Sequence, residues 1–172
     1  MARAVLLLAC LTAVLAQPVF VPVSVAELVG MSDVIVDAKV DTINAARVGL
    51  SRNLETPVDF AVAQVLKGPA DLKNVIVVEP GGKMGTRQEV HYNQIIPEAG
   101  GRYVLFLKRS ADGTFTALGG LHGHYRVVDG RIQMHPAMPR ILKAGFADAP
   151  VEKLVDAVRS ELAHPTFHQI GR

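Results

Sequence analysis

The sequence predicts a mainly β protein: a small closed or partly closed barrel of about seven short antiparallel strands, with a short amino-terminal helix and an amphipathic carboxyl-terminal helix. Short runs of alternating, β-branched residues recur along the chain and are separated by glycine and proline. The pair Asp129-Gly130 marks a tight hairpin. A helical period of apolar residues is found only towards the two ends. The 172 residues therefore predict a single domain behind a short leader.

The hairpin lies within residues 121–136 and is the strongest local signal. Asp129-Gly130 favours a type I′ turn, because both central residues of that turn need a positive φ. A two-residue loop also fixes the register, so that Val128 faces Arg131 and His124 faces His135. One face of the predicted ladder is apolar and carries Tyr125, Val127, Ile132 and Met134. The opposite face is polar and carries His122, His124, Arg126, Arg131, Gln133 and His135.

Before the hairpin, the chain predicts one helix and five strands. Ser24 and Glu27 have the spacing of a capping box, which predicts a short helix over residues 25–31. The strands are expected at residues 33–43, 58–66, 73–79, 102–108 and 114–118. The run 102–108 is apolar on both faces, which indicates a central strand. The carboxylates at the ends of strands and in loops are expected to be solvated: Glu55, Asp59, Glu79, Glu89 and Glu98.

Two long irregular segments separate these strands. Residues 44–57 are polar, contain Gly49 and show no clear period. Residues 81–101 begin and end with glycine pairs and hold at most an edge strand at 88–92. Long loops on a rigid scaffold are frequent sites of recognition. The two segments are therefore the first candidates for a binding surface.

The last predicted element is an amphipathic helix that follows Pro150, a residue suited to the first helical position. Its apolar stripe consists of Val151, Leu154, Val155, Val158 and Leu162, and we expect this stripe to pack on the sheet. His164-Pro165 ends the helix. The expected division is a signal peptide at 1–16, a single barrel domain with its helix at 17–163, and a tail at 164–172.

The first sixteen residues have the pattern of a secretory signal. Arg3 supplies a positive start, residues 4–15 are apolar, and Ala16-Gln17 is the expected cleavage site. The mature chain is then expected to be secreted or periplasmic, with no transmembrane segment. Cys10 is the only cysteine, and its lipidation is the alternative. Cleavage before Gln17 removes it, which excludes disulfides, thiol catalysis and cysteine–zinc sites from the mature chain.

Charge and motifs exclude further classes. The formal net charge is +2 at pH 7, basic residues are scattered, and tryptophan is absent, so nothing indicates a nucleic-acid surface or a stacking platform. The motifs Gly-x-Ser-x-Gly, Ser-x-x-Lys and His-Glu-x-x-His are also absent. We therefore expect a non-enzymatic protein with no required cofactor.

Four segments carry a resemblance, at residues 32–36, 60–68, 101–107 and 119–130. In this order they resemble a group of poorly characterised secreted prokaryotic proteins that have an OB-like barrel. More distantly they are similar to netrin-like modules and tissue inhibitors of metalloproteinases, which share a V-x-x-V-x-K-G strand followed by a G-x-x-Y-L-V-F strand. The resemblance implies an OB-like or netrin-like fold. The mature chain lacks the amino-terminal cysteine by which those inhibitors chelate zinc, so their role does not carry over residue by residue.

The candidate metal ligands are His122, His124 and His135 on the polar hairpin face. Neutral imidazoles are common ligands of zinc and copper, and opposed residues on a ladder lie about 5 Å apart. Against a metal, Arg126 and Arg131 share the face and would repel a cation. The competing interpretation is an exposed polar strand face that tolerates histidine, and both interpretations stay open.

The leading hypothesis for function is a secreted, non-enzymatic binding module that recognises an extracytoplasmic protein or surface ligand through its two long loops. The alternative class is a zinc- or copper-binding protein built on the histidine face. A protease inhibitor is a weaker alternative that rests on the netrin-like resemblance alone.

Overall fold

The computed structural model describes residues 24–91, 94–138 and 140–167. The expected signal at 1–16, its cleavage site before Gln17 and Cys10 lie outside the described residues, as do residues 168–172 of the expected tail. Within the part of the chain that is described, no helix is both long and apolar enough to span a bilayer.

The described residues form three α-helices and ten strands. The helices are α1 (Val25–Met31), α2 (Arg140–Phe146) and α3 (Val151–Ala163), and a 3₁₀ helix spans Gly120–Gly123. The strands are β1 (Val34–Ile43), β2 (Arg47–Val48), β3 (Leu54–Lys67), β4 (Asn74–Pro80), β5 (Gly82–Met84), β6 (Arg87–Glu89), β7 (Arg102–Arg109), β8 (Phe115–Ala117), β9 (His124–Val128) and β10 (Arg131–Gln133).

Five strands close into a barrel in the order β1–β3–β4–β8–β7, with β7 returning to β1. A closed ring of five strands cannot alternate in direction throughout, because five is odd. One parallel pair is therefore unavoidable, and it joins β4 to β8 through Val77 and Phe115. Strand β9 pairs with the same edge of β7 as β8 does, opposite to β1, so it extends the barrel wall beyond β8, and β10 pairs with β9. The small closed barrel of mainly antiparallel strands was predicted, and the parallel pair of β4 with β8 is an exception that the sequence did not indicate.

The apolar residues form two cores on the two sides of the barrel wall. The inner core holds Val34, Val36, Ala38, Val40, Val58, Phe60, Val75, Val77, Tyr103, Leu105, Leu107 and Phe115. The outer core lies between the wall and the helices and includes Leu28, Val29, Ile35, Val104, Phe106, Tyr125, Val127, Ile132, Val151, Leu154, Val155 and Val158. Strand β7 contributes to both cores, which confirms that it is central.

The two predicted helices form as the sequence indicated. The Ser24 hydroxyl accepts from the Glu27 amide at 3.2 Å, and the Glu27 carboxylate accepts from the Ser24 amide at 2.9 Å. This reciprocal pair is the expected capping box. Helix α3 buries its stripe as far as Val158, whereas Leu162 is half-exposed. Pro150 is the N-cap of α3 and not its first helical residue.

Two local predictions were wrong, and one helix was not predicted. Residues 54–57 begin strand β3, where Leu54 and Thr56 alternate inward; Pro57 obscured this pattern because proline is uncommon inside a sheet. The segment 81–101 contains the β5–β6 hairpin, and the expected edge strand at 88–92 overlaps only the end of β6. Helix α2 was not predicted, because seven residues are too few for a clear helical period.

Candidate functional site

The hairpin has the predicted register only near its turn. Val128 pairs with Arg131 and Arg126 with Gln133, and the ladder ends there. The predicted pairing of His124 with His135 is therefore wrong, because the ladder ends two pairs before it, without Tyr125–Met134 or His124–His135.

His122 does not lie on a strand, because the chain winds into a 3₁₀ helix just before β9. Gly119 and Gly120 take left-handed φ values of 65° and 63°, which turns the backbone out of β geometry. Gly123 then packs so tightly that a Cβ there would lie 2.8 Å from the Leu118 amide nitrogen and 2.9 Å from the Phe106 carbonyl oxygen. Consequently His122 is 5% exposed, and burial lowers its pKa below the usual value.

His124 lies inside the barrel rather than on an exposed face. Its Nε2 atom is 2.8 Å from Oε1 of Glu79, and its Nδ1 atom is 3.1 Å from the carbonyl oxygen of Gly120. Both partners are acceptors, so the imidazolium donates from both nitrogens. Burial acts to lower the pKa of His124, but the carboxylate charge and the two hydrogen bonds outweigh it and raise that pKa.

Glu79 is 1% exposed, so the expectation that this carboxylate is solvated was wrong. The signal was present in the strand, since Val75, Val77 and Glu79 follow at intervals of two and share the inward face. The Glu79–His124 pair joins β4 to β9 across 45 residues of sequence. Backbone pairing between β4 and β8 is a single bridge, and the ion pair adds a side-chain link between β4 and β9.

His135 follows β10 and is exposed, with its Nδ1 atom accepting a 3.2 Å hydrogen bond from the Ala137 amide. His124 and His135 line the same cleft, whereas His122 is not part of its lining. The described residues contain no group of three or more His, Cys, Asp or Glu side chains placed to hold one metal ion. The structure thus brings two of the three candidate histidines to one cavity but does not form a shared ladder face.

That cavity, which we call the mouth cleft, has a volume of about 490 Å³ and opens at one end of the barrel. It is lined by Ile95, Ile96, Glu98, Tyr103, His124, Arg126, Gln133, Met134, His135 and Pro136. The second long segment, residues 81–101, therefore contributes one wall, and the hairpin and the chain after it contribute the other. A mostly apolar cavity of several hundred Å³ with a few polar groups is typical of a small-molecule site.

A second cavity, the loop groove, lies on the outside of the barrel and has a volume of about 580 Å³. It is lined by Arg47, Val48, Gly49, Leu50, Glu55, Val78, Ser110, Ala111, Asp112, Thr114 and Thr116. Its walls are the first long segment and the β7–β8 turn, and its floor is the outer side of β4 and β8.

The two long segments also present most of the exposed apolar side chains that the structure describes. The exposed large hydrophobic residues are Ile43, Val48, Leu50, Ile76, Met84, Val90, Ile96 and Leu162, and five of these eight lie in the two segments. The segments touch each other: the Arg87 guanidinium donates to the Arg52 carbonyl at 2.7 Å, and the Leu54 amide donates to the Glu89 carboxylate at 2.6 Å. They therefore form one continuous surface.

The fold and these cavities define a small closed β-barrel with long, partly apolar loops and a cleft at its mouth. No protein-family model matches the chain, and the search of the curated proteins finds no match either. The assignment of function therefore depends on the contacts and charges of the chain itself.

Proposed function

We propose that this protein is a secreted or periplasmic, non-enzymatic binding module that recognises a partner protein through its two long loops. The observation that supports the proposal best is the exposure of apolar side chains on those loops. Leu50 is fully exposed and Val90 is 82% exposed. Exposed apolar residues that are grouped rather than scattered are typical of interaction surfaces.

The lining of the loop groove favours a polypeptide over a nucleic acid or a sugar. Among the described residues that line the groove none is aromatic, and the one cation, Arg47, is balanced by the carboxylates of Glu55 and Asp112. Single-stranded nucleic acids need stacking platforms and a positive groove. Apolar contacts from Val48 and Leu50, combined with serine and threonine hydroxyls, suit side chains and backbone groups of a protein ligand.

The proposal is tested by pull-down from the extracytoplasmic fraction with the mature domain. The variants are Leu50→Ala with Val90→Ala, and as a matched control Leu162→Ala, which removes a half-exposed leucine from α3 away from both loops. We expect the loop variant to lose the partners that wild type and control retain. Equal recovery by all three proteins would contradict recognition through the loops.

The proposed location rests on the leader at residues 1–16. We expect the purified mature protein to begin at Gln17, because the small residues before it form the cleavage context. Intact-mass measurement of protein from the secreting cell checks this. A diacylglyceryl mass on Cys10 would show that the protein is a lipoprotein instead.

A further inference from the structure

The mouth cleft contains an arginine whose present partner is a carboxylate from the cleft wall. Arg126 on β9 holds Glu98 with both branches of its guanidinium: Nη1 donates to Oε1 at 2.9 Å, and Nη2 donates to Oε2. The two side chains are 35% and 64% exposed, respectively. This is the planar, two-hydrogen-bond arrangement by which arginine selects a carboxylate.

The backbone of Glu98 is held independently of its side chain. The Glu98 amide donates to the Tyr103 hydroxyl at 3.0 Å, and the Glu98 carbonyl accepts from the Gly101 amide at 2.9 Å. The carboxylate can therefore leave Arg126 by side-chain rotation while the cleft wall stays in place. A second carboxylate could take its position without any opening of the barrel.

The walls around this arginine are apolar. Ile95 and Ile96 come from one side, and Met134 and Pro136 from the other. His135 also lines the cleft, and because its Nδ1 accepts from Ala137, the neutral ring carries its proton on Nε2 and offers a second donor. The lining therefore combines a guanidinium that can bind a carboxylate, that of Arg126, with apolar surface that can contact a hydrocarbon chain.

We propose that the mouth cleft binds a small amphipathic carboxylate, whose head replaces the Glu98 carboxylate on Arg126 and whose hydrocarbon part covers the isoleucines and Met134. When the ligand is absent, the Glu98 carboxylate takes the ligand's place on the guanidinium of Arg126. Binding replaces one carboxylate on Arg126 with another. The Arg126–Glu98 ion pair that is broken is exposed to solvent and therefore contributes little free energy. The gain comes from apolar wall surface that the ligand removes from water. This site is separate from the loop groove of the proposed function.

The test is a calorimetric titration of the folded mature protein with octanoate and, for comparison, 1-octanol. We expect millimolar or tighter binding of octanoate and much weaker binding of the alcohol. Glu98→Gln removes the internal competitor and should tighten octanoate binding by about threefold, the range of an exposed ion pair. Arg126→Gln should weaken it by about tenfold or more, because the charged fork is lost.

Arg131→Gln is the matched control, since Arg131 lies on the same hairpin and also pairs with a carboxylate, that of Asp148, outside the cleft. It should bind octanoate as wild type does. Far-ultraviolet circular dichroism confirms that each variant is folded. The proposal is overturned if octanoate fails to bind to wild type and Glu98→Gln, if 1-octanol binds equally well, or if Arg126→Gln has no larger effect than Arg131→Gln.

Discussion

The buried pair between Glu79 and His124 gives the sharpest prediction on stability. In Glu79→Ala, the Nε2 atom of His124 loses its 2.8 Å partner while the ring stays inside the barrel. Removing one partner of a buried ion pair costs about 3–5 kcal/mol. For a domain of this size, that corresponds to a decrease in Tm of about 6–20 °C. Glu55→Ala is the control, because it removes a half-buried carboxylate from the neighbouring strand β3.

The same variant should change how stability depends on pH. The folded pKa of His124 is raised above 6.5, so the pair contributes fully below the unfolded pKa and its contribution is lost as pH rises through the folded pKa. Without Glu79, burial still lowers the pKa of His124, whereas the carboxylate charge and one of the two hydrogen bonds that raise it are lost, so protonation destabilises the variant. The free-energy difference between the two proteins is therefore largest in acid and smaller in alkali.

Chemical denaturation at about pH 5 and about pH 9 measures both effects. The double substitution of Glu79 and His124 by leucine should recover much of the loss, because an apolar pair leaves no buried charge unmatched. A Glu79→Ala protein that unfolds with the wild-type free energy, or whose deficit is the same at both pH values, would refute the reasoning.

Three further predictions concern the core, the turn and the histidines. Val158→Asp should destabilise the fold by several kcal/mol, because it places an unpaired charge in the core beneath α3. Thermal denaturation measures this effect, and Leu162→Asp, at the exposed end of the α3 stripe, should change Tm much less. Gly123→Ala should lower Tm because its Cβ would meet backbone atoms at 2.8–2.9 Å, whereas Gly145→Ala, with open space at the Cβ, should not. Zinc or copper should leave Tm unchanged, because both ring nitrogens of His124 are engaged; a metal-dependent increase that His124→Ala abolishes would contradict this.

Sequence alone determined the features that depend on neighbours along the chain. The capping box needs only Ser24 and Glu27, which are three residues apart, and the hairpin register near Asp129-Gly130 is fixed by its two-residue turn. The stripe of α3 follows from helical spacing, and its burial confirms it. In each case, the interacting residues are brought together by local backbone geometry, so the pattern of residue types is sufficient.

Only the tertiary structure decided which side of the hairpin is inside. Alternation correctly separated His124 from Tyr125, but it could not show that His124 is buried in the barrel, Tyr125 is buried under the helices, and Arg126 faces the mouth cleft. The partner of His124 is Glu79, 45 residues earlier, and no local pattern brings these two residues together. A barrel covered by helices has two interiors, so a single polar side chain such as His124 can be as buried as the apolar residues of its strand when a distant charge pairs with it.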